Sequence, residues 1–409
     1  MNYYDAMAPY ALKNLAKQLD GPTLVRVDIN VPVKADGRIS RDKPNLRLKN
    51  YGMVLDLYSG FSPLVVTAHQ GRRGDRDFVG LDDHATILGN IIHHGKVKFE
   101  PYVEDEEYFT PKLAKRIRSL QRGDVLLLDN VRNFDFEEKF DPSSCPYIPF
   151  FRKAGIKTCV NDGLPLWHRD NPSVMALPHI APTYIGIPSY NELELQYRLM
   201  DEGGSKAIII GGKKPKFEAI PKLAERMDIF TGGVTAFPVC MIKGYDIGNK
   251  NEGLVKKLYS PENIGLLSQM ESKHNIETPV DFVAVKNSEK AVIQIDELKG
   301  TDWVIKDIGP ATVEKYAELL QQYDWRIRAG PMGVFEEGYN NGAELVRRIV
   351  NGGFVAVGGD TVEELQENDL CDSITAAGGT TLLGGGAHLD GWAGEPYPSL
   401  DEILRMSVK

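Results

Sequence analysis

The segment TLVRVDINVPV, Thr23 to Val33, is mostly apolar through Val27 and then turns to Asp28 and Asn30. Runs of the same kind recur at PLVVTAH, ending at His69, at DVLLLDN, ending at Asn130, and at the shorter KTCVND, ending at Asp162. PLVVTAH and DVLLLDN show none of the alternation of a half-exposed strand. Apolar runs of this length without period-two patterning fit strands covered on both faces by helices, the condition of a parallel sheet. The second half repeats the scheme with AIIIGG from Ala207, DIFTGG from Asp228, DFVAVK from Asp281, WVIKDIGP from Trp303, WRIRAGPMGVF from Trp325 and FVAVGGDT from Phe354. Between the later runs, ATVEKYAELLQQY and AELVRRIVNGG have helical spacing, and the second stops at glycine. The expected fold class is α/β, with two doubly wound parallel-sheet, Rossmann-like domains.

Bulk properties agree with two domains. The chain has 409 residues, more than one hydrophobic core usually supports, with 42% hydrophobic and 26% charged residues. The polar-rich helical stretch from Asn191 to Lys206 breaks at Gly203-Gly204 just before the second series of strands, so the junction is expected at 191–206, between domains at 1–190 and 207–390. The end of the chain, from Gly391, passes three prolines and a tryptophan before a helix for which Ser399 and Glu402 have capping-box spacing.

A net charge of -9 argues against nucleic-acid or anionic-membrane partners, which require a cationic field. Cys145, Cys159, Cys240 and Cys371 are scattered and read as reduced thiols. The opening residues show no basic region followed by an apolar run, and no stretch reaches membrane-spanning length, so a cytoplasmic location is expected.

In open parallel sheets ligands lie beyond the carboxyl ends of the strands. There the two halves differ. The first offers Asp28, Asn30, His69, Arg72, Arg132, His168 and Arg169, of which five can carry or donate positive charge, so the expectation is an anion cradle in an acidic protein. The second ends its strands in glycine, at Gly211-Gly212, Gly232-Gly233, Gly330, Gly358-Gly359 and Gly384-Gly385-Gly386. Glycine lets main-chain amides approach a polyphosphate, and Thr361 with Glu364 has capping-box spacing for a helix starting at the 358–359 pair. Taken singly, each glycine pair is equally well a tight turn with no ligand.

Common fingerprints are absent. There is no G-x-x-x-x-G-K-[ST], no G-x-G-x-x-G after a strand with a suitably placed acid, and no zinc spacing. His168-Arg169-Asp170 mimics a protein-kinase catalytic loop without its downstream Asn or an Asp-Phe-Gly.

What the motifs do resemble, in order and from Arg26 almost to the C-terminus, is the phosphoglycerate kinase family. The matching segments are VRVDINVPV, AHQGRRGD, LLLDNVRNF, VNDGLPLWHR, IIIGGKK, TGGV, KGYDIG, TPVDFVAV, KDIGP, AGPMGVFEE and VGGDT, with AHQGR and KGYDIG closest to archaeal members. The resemblance implies a monomer that moves a phosphoryl group reversibly between ATP and 3-phosphoglycerate in glycolysis and gluconeogenesis. It also implies a hinge helix between the domains, a chain end that returns to the first domain, and Mg2+ carried with the nucleotide.

By position, the resemblance assigns Asp28, Asn30, His69, Arg72, Arg132 and Arg169 to phosphoglycerate. It assigns Gly211, Gly212, Lys214, Gly233, Glu336, Gly359, Asp360, Thr361, Gly384, Gly385 and Gly386 to the nucleotide, with Asp360 on the metal. Arg47 and Lys214 would serve the transferring phosphoryl; a small insertion in ISRDKPNLRLKN leaves Arg41 as the alternative to Arg47. Gly378-Gly379 likewise competes with Gly384 to Gly386 as the last phosphate loop. Ala329, Phe217, Glu218 and Val357 depart from the family pattern on the nucleotide side, and Arg73 and Gly163 on the other. The first set keeps a non-catalytic sensor of nucleotide or phosphoglycerate open as an alternative.

Overall fold

The computed structural model describes residues 3–41, 44–213, 219–274 and 276–407. The chain forms two compact units, Met1–Tyr197 with Glu395–Lys409, and Arg198–Gly394.

The first unit is built on a six-stranded sheet whose strands are β1 (Thr23–Val27), β2 (Leu64–Thr67), β3 (Lys96–Glu100), β4 (Asp124–Leu128), β5 (Thr158–Asp162) and β6 (Thr183–Ile185), in the order β3-β4-β2-β1-β5-β6. All pairings are parallel. β1, β2 and β5 are buried at every position, so their sequences are largely apolar, with Arg26 in β1 and Asn161-Asp162 at the end of β5 as buried polar exceptions, and two clusters of buried side chains pack on the sheet. The carboxyl ends of β4, β2, β1 and β5 therefore lie side by side along one edge.

The second unit holds a second six-stranded parallel sheet made of β7 (Lys206–Ile210), β8 (Asp228–Thr231), β9 (Ile276–Glu277), β13 (Trp325–Ala329), β14 (Phe354–Val357) and β15 (Thr380–Leu382), ordered β15-β14-β13-β7-β8-β9. DFVAVK and WVIKDIGP do not join it. They supply β10 (Asp281–Lys286) and β12 (Val304–Ile308); β10 pairs antiparallel with β12 on one side and with β11 (Glu289–Gln294) on the other, in a three-stranded sheet. The cause is local: β10 and β11 are joined by Asn287-Ser288, both at positive φ (50° and 66°), the two-residue hairpin whose twist matches its strands.

The helix across the unit boundary runs Ile187–Asp201, so it begins before Asn191. Its first turn is held from the sheet. Ile187 N donates to the Tyr58 hydroxyl (2.8 Å), and Ser189 N donates to the carboxylate of Asp162 (3.1 Å). Burial pushes the Asp162 carboxyl up to about 6.

The helix Pro398–Ser407 packs with the first unit, but Ser399 and Glu402 form no capping box. Ser399 lies inside the helix, its N–H directed at Trp167 O (3.4 Å), and Glu402 is engaged by His179 and Arg405. No helix among the described residues is long and apolar enough to cross a membrane.

Candidate active site

On the first unit, the loops after β1, β2 and β4 are stitched together by amides. Gln70 accepts from Val31 N and donates to Val31 O (both 2.9 Å), Asn130 donates to Gln70 O (2.7 Å), and Asn30 accepts from Gly71 N (2.8 Å). Asn30 Oδ1 thus helps to hold the loop that carries Arg72. Arg73 crosses in the other direction, donating to Arg132 O (2.7 Å) and pairing with Asp135, while Arg132 donates back to Gly71 O.

Around these loops the cations converge. Asp28 is buried and ion-paired with Arg47, itself 8% exposed, and its other oxygen lies 3.9 Å from His69 Nδ1. Arg132 is lowered to about 10 by burial and then by the positive charges of Arg169, Arg26 and Arg72. His69 is held well below the usual imidazole range by burial and then by Arg26, Arg132, Arg169 and Arg47. The residues expected to bind an anion are therefore within electrostatic reach of one another. Arg41 is paired with Asp83, with nearly half its side chain exposed. His168 accepts from Arg169 Nε (3.1 Å), and Trp167 Nε1 anchors their turn on Asn161 Oδ1 (2.9 Å).

Sequence reasoning passed over Arg26. It is 1% exposed inside β1 and touches His69, and the available signal was a lone cation within an otherwise apolar strand. Gln70 and Asn130 were also passed over as the crosslinks of the loops.

On the second unit, two cavities meet at Gly212, Lys213, Pro331 and Asp360. One, about 280 Å³, is walled by Val234, Phe237, Leu254, Phe282 and Phe335, with Gly233 and Glu336 also in its lining; Glu336 accepts from Lys213 Nζ at 2.7 Å. The other, about 440 Å³, takes Gly211, Gly330, Gly358, Gly359, Thr361, Gly385 and Gly386, together with the departures Ala329 and Val357. Apolar wall and glycine-lined trough suit a planar base and a polyphosphate respectively. Gly384 precedes the trough and is not in its lining; its carbonyl accepts from Ala387 N (3.1 Å). Gly378-Gly379 lies at the start of β15, beside Gly352 and Phe354 O, at the opposite end of the sheet. Lys214 and the departures Phe217 and Glu218 lie outside the described residues.

Not every glycine offers its amide. Gly211 N donates to Ala329 O (2.9 Å), Gly212 N to Pro331 O (2.7 Å) and Gly233 N to Met332 O (2.9 Å). At Gly211 the side chain is missing for packing, since a Cβ there would overlap Pro331 O. The amides without intrahelical acceptors belong to the helix Gly359–Glu367, whose N-cap Gly358 provides no side-chain cap. Thr361 does not cap that helix. Its hydroxyl donates to Val357 O and accepts from Gly330 N (both 2.8 Å), while Glu364 is drawn beneath the helix into a fully buried pair with Arg328.

A phosphoglycerate kinase family model matches residues 16–395. The chain belongs to the phosphoglycerate kinase family. It is 32% identical to the phosphoglycerate kinase of Methanopyrus kandleri, over 93% of this chain and 94% of that enzyme, and 30% identical to that of Sulfolobus acidocaldarius, over 93% and 92%. Its fold is similar to the crystal structure of phosphoglycerate kinase from Pyrococcus horikoshii, with a TM-score of 0.84, 27% identity and 98% and 99% of the two chains covered. The enzyme from Coxiella burnetii, at 21% identity and a TM-score of 0.70 over 98% and 99%, shares the fold.

Within this family member the wall of the apolar cavity includes Asp307, which burial pushes up to about 7 against hydrogen bonds from Asn341 N and Ile308 N. An acid whose folded value exceeds its unfolded one contributes stability fully below the unfolded value, and loses it as pH rises through the folded value. For Asp307 the window runs from 3.8 to about 7. Urea unfolding at a series of pH values is expected to show a contribution that grows as pH falls from about 8 to about 5, and Asp307→Asn is expected to flatten that slope whatever constant offset it introduces.

Proposed function

We propose that this family member transfers a phosphoryl group between ATP and 3-phosphoglycerate, with the acid held by the arginines around His69 and the nucleotide in the paired cavities. The observation that carries the reading is the gathering of Arg47, Arg132 and Arg169 about His69 beside the Asp28 carboxylate. Guanidinium groups satisfy phosphate and carboxylate oxygens in pairs, so Arg72, Arg132 and Arg169 take the two anionic ends of phosphoglycerate. Asp28, already paired with Arg47, accepts from the substrate hydroxyl.

On the other unit, the base enters the apolar cavity with its ribose toward Glu336. The phosphates lie along Gly359, Gly385 and Gly386, near Gly211 and Gly212. The first-turn amides of the helix Gly359–Glu367 face them with the positive end of its dipole. No cluster of three metal-binding side chains exists among the described residues, and Asp360 is the carboxylate that lies in both cavities. That fits magnesium, which usually takes one or two carboxylates plus substrate phosphates. Asp360 would hold the ion, which when bound offsets the charge of the phosphate chain.

The reaction needs no protein nucleophile, because the phosphoryl passes in line between two bound oxygens. Positioning and charge neutralisation supply the catalysis, a task for Arg47 and Lys214. With the acid on one unit and the nucleotide on the other, the helix Ile187–Asp201 serves as the hinge for a closure that keeps water from the acyl phosphate. The enzyme acts as a monomer in the cytoplasm.

The test is formation of 1,3-bisphosphoglycerate from ATP and 3-phosphoglycerate, coupled to its NADH-linked reductive dephosphorylation. Turnover that requires both substrates is expected; no NADH loss with both substrates present would overturn the assignment. In the same assay Arg47→Ala is expected to lower kcat by about a hundredfold or more, leaving the KM for 3-phosphoglycerate within a few fold. Arg41→Ala, which removes a partly exposed partner of Asp83, is expected to do little, and the reverse pattern would move the role to Arg41.

A further inference from the structure

Arg26 is fully buried, and each of its nitrogens has a partner: Nε donates to Ser173 Oγ (2.9 Å), Nη1 to Val27 O and at 3.5 Å to Thr67 O, and Nη2 lies 3.2 Å from His69 Nδ1. The partners are themselves fixed. Ser173 N is bonded by the buried carboxylate of Glu137 (3.1 and 3.2 Å), which also accepts from the Tyr147 hydroxyl (3.0 Å). A guanidinium has five donors and no acceptor, so in the Arg26–His69 contact the imidazole Nδ1 must be the acceptor and cannot carry a proton. The alternative, an Nδ1 proton directed at Asp28 Oδ1, would have to span 3.9 Å, beyond hydrogen-bond range.

We infer that Arg26 is a positioning residue that locks His69 as a neutral imidazole with its proton on Nε2, so that His69 serves the phosphoglycerate site as a hydrogen-bond donor and not as a cation. The assignment rests on the function proposed above and refines it. The charged groups facing His69 are Arg26, Arg47, Arg132, Arg169 and Asp28, and four cations against one carboxylate leave no place for a fifth positive charge. The affinity for the acid then comes from the arginines, while His69 contributes direction through one N–H. A pH profile of binding should accordingly lack an imidazole step.

Long-range 1H–15N NMR of the 15N-histidine-labelled full chain, with the signal assigned through His69→Gln, tests this without reference to turnover. The expected spectrum has Nδ1 unprotonated and Nε2 protonated, with no titration between pH ~5 and ~8 and a shift of the Nε2 resonance on adding 3-phosphoglycerate. A proton on Nδ1, or an imidazolium at neutral pH, would refute it. Arg26→Met should raise the KM for 3-phosphoglycerate about tenfold or more, with kcat and the KM for ATP within about twofold, and should release the ring so that the Nδ1-protonated tautomer appears. Should that variant fail to fold, Ser173→Ala, which removes only the Nε partner, should produce the same changes in smaller measure. An unchanged ring and unchanged KM in a folded variant would count against the role. Normal turnover with the other tautomer sinks this inference alone, whereas absence of turnover with the expected tautomer sinks the functional reading alone.

Discussion

The first unit depends on keeping like charges close together in a partly dry place. Desolvating an arginine costs several kcal/mol, and placing further arginines beside it adds repulsion. The fold meets that cost piece by piece. Arg47 is paired with Asp28, Arg26 is surrounded by carbonyl and hydroxyl oxygens with Glu137 nearby, and Arg132 is tied to Gly71 O. The result is a concentration of positive charge at the carboxyl ends of adjacent parallel strands, which a small acid with two anionic ends can neutralise. Site and sheet are therefore one problem, since parallel register brings the four strand ends together.

The second unit meets its ligand differently: among the described residues its trough is lined mostly by glycine and main chain, with Lys213 and Asp360 as the charged side chains. Its strand ends are glycine loops locked to one another through Pro331 and Met332 carbonyls, and Thr361 fastens the start of its helix to Gly330. Beneath lies the Arg328–Glu364 pair, with Arg328 Nη1 donating to Gly342 O (3.0 Å). A buried pair of this kind is better suited to fixing geometry than to adding stability. The first-turn amides and Asp360 are then held against a trough whose shape is set by main chain.

The sequence disclosed what burial dictates and concealed what depends on local pairing. The central parallel strands were legible because both faces are covered, so they are largely apolar along their length. Edge strands were not: KVKFE is partly exposed along its length and carries two lysines, and β9 and β15 are too short to carry a pattern. β10 looked like a core parallel strand because its apolar run is the same, and only the Asn287-Ser288 turn distinguishes it. The two capping boxes failed for a shared reason, that Thr361 and Ser399 each lie inside a helix and not at its N-cap, while Glu364 pairs with Arg328 and Glu402 with His179 and Arg405. Among the site residues, strand-end position revealed the arginines and glycines. It could not reveal Arg26, which lies within β1, or that the amides of Gly211, Gly212 and Gly233 are already bonded.

A crystal structure of the chain with 3-phosphoglycerate and a non-transferable ATP analogue tests the central claim most directly. The account predicts the acid in contact with His69, Arg132 and Arg169, and phosphate oxygens within hydrogen-bond distance of the first-turn amides of the helix Gly359–Glu367. Ordered phosphoglycerate bound away from the arginine cluster, with that cluster still intact, would contradict it.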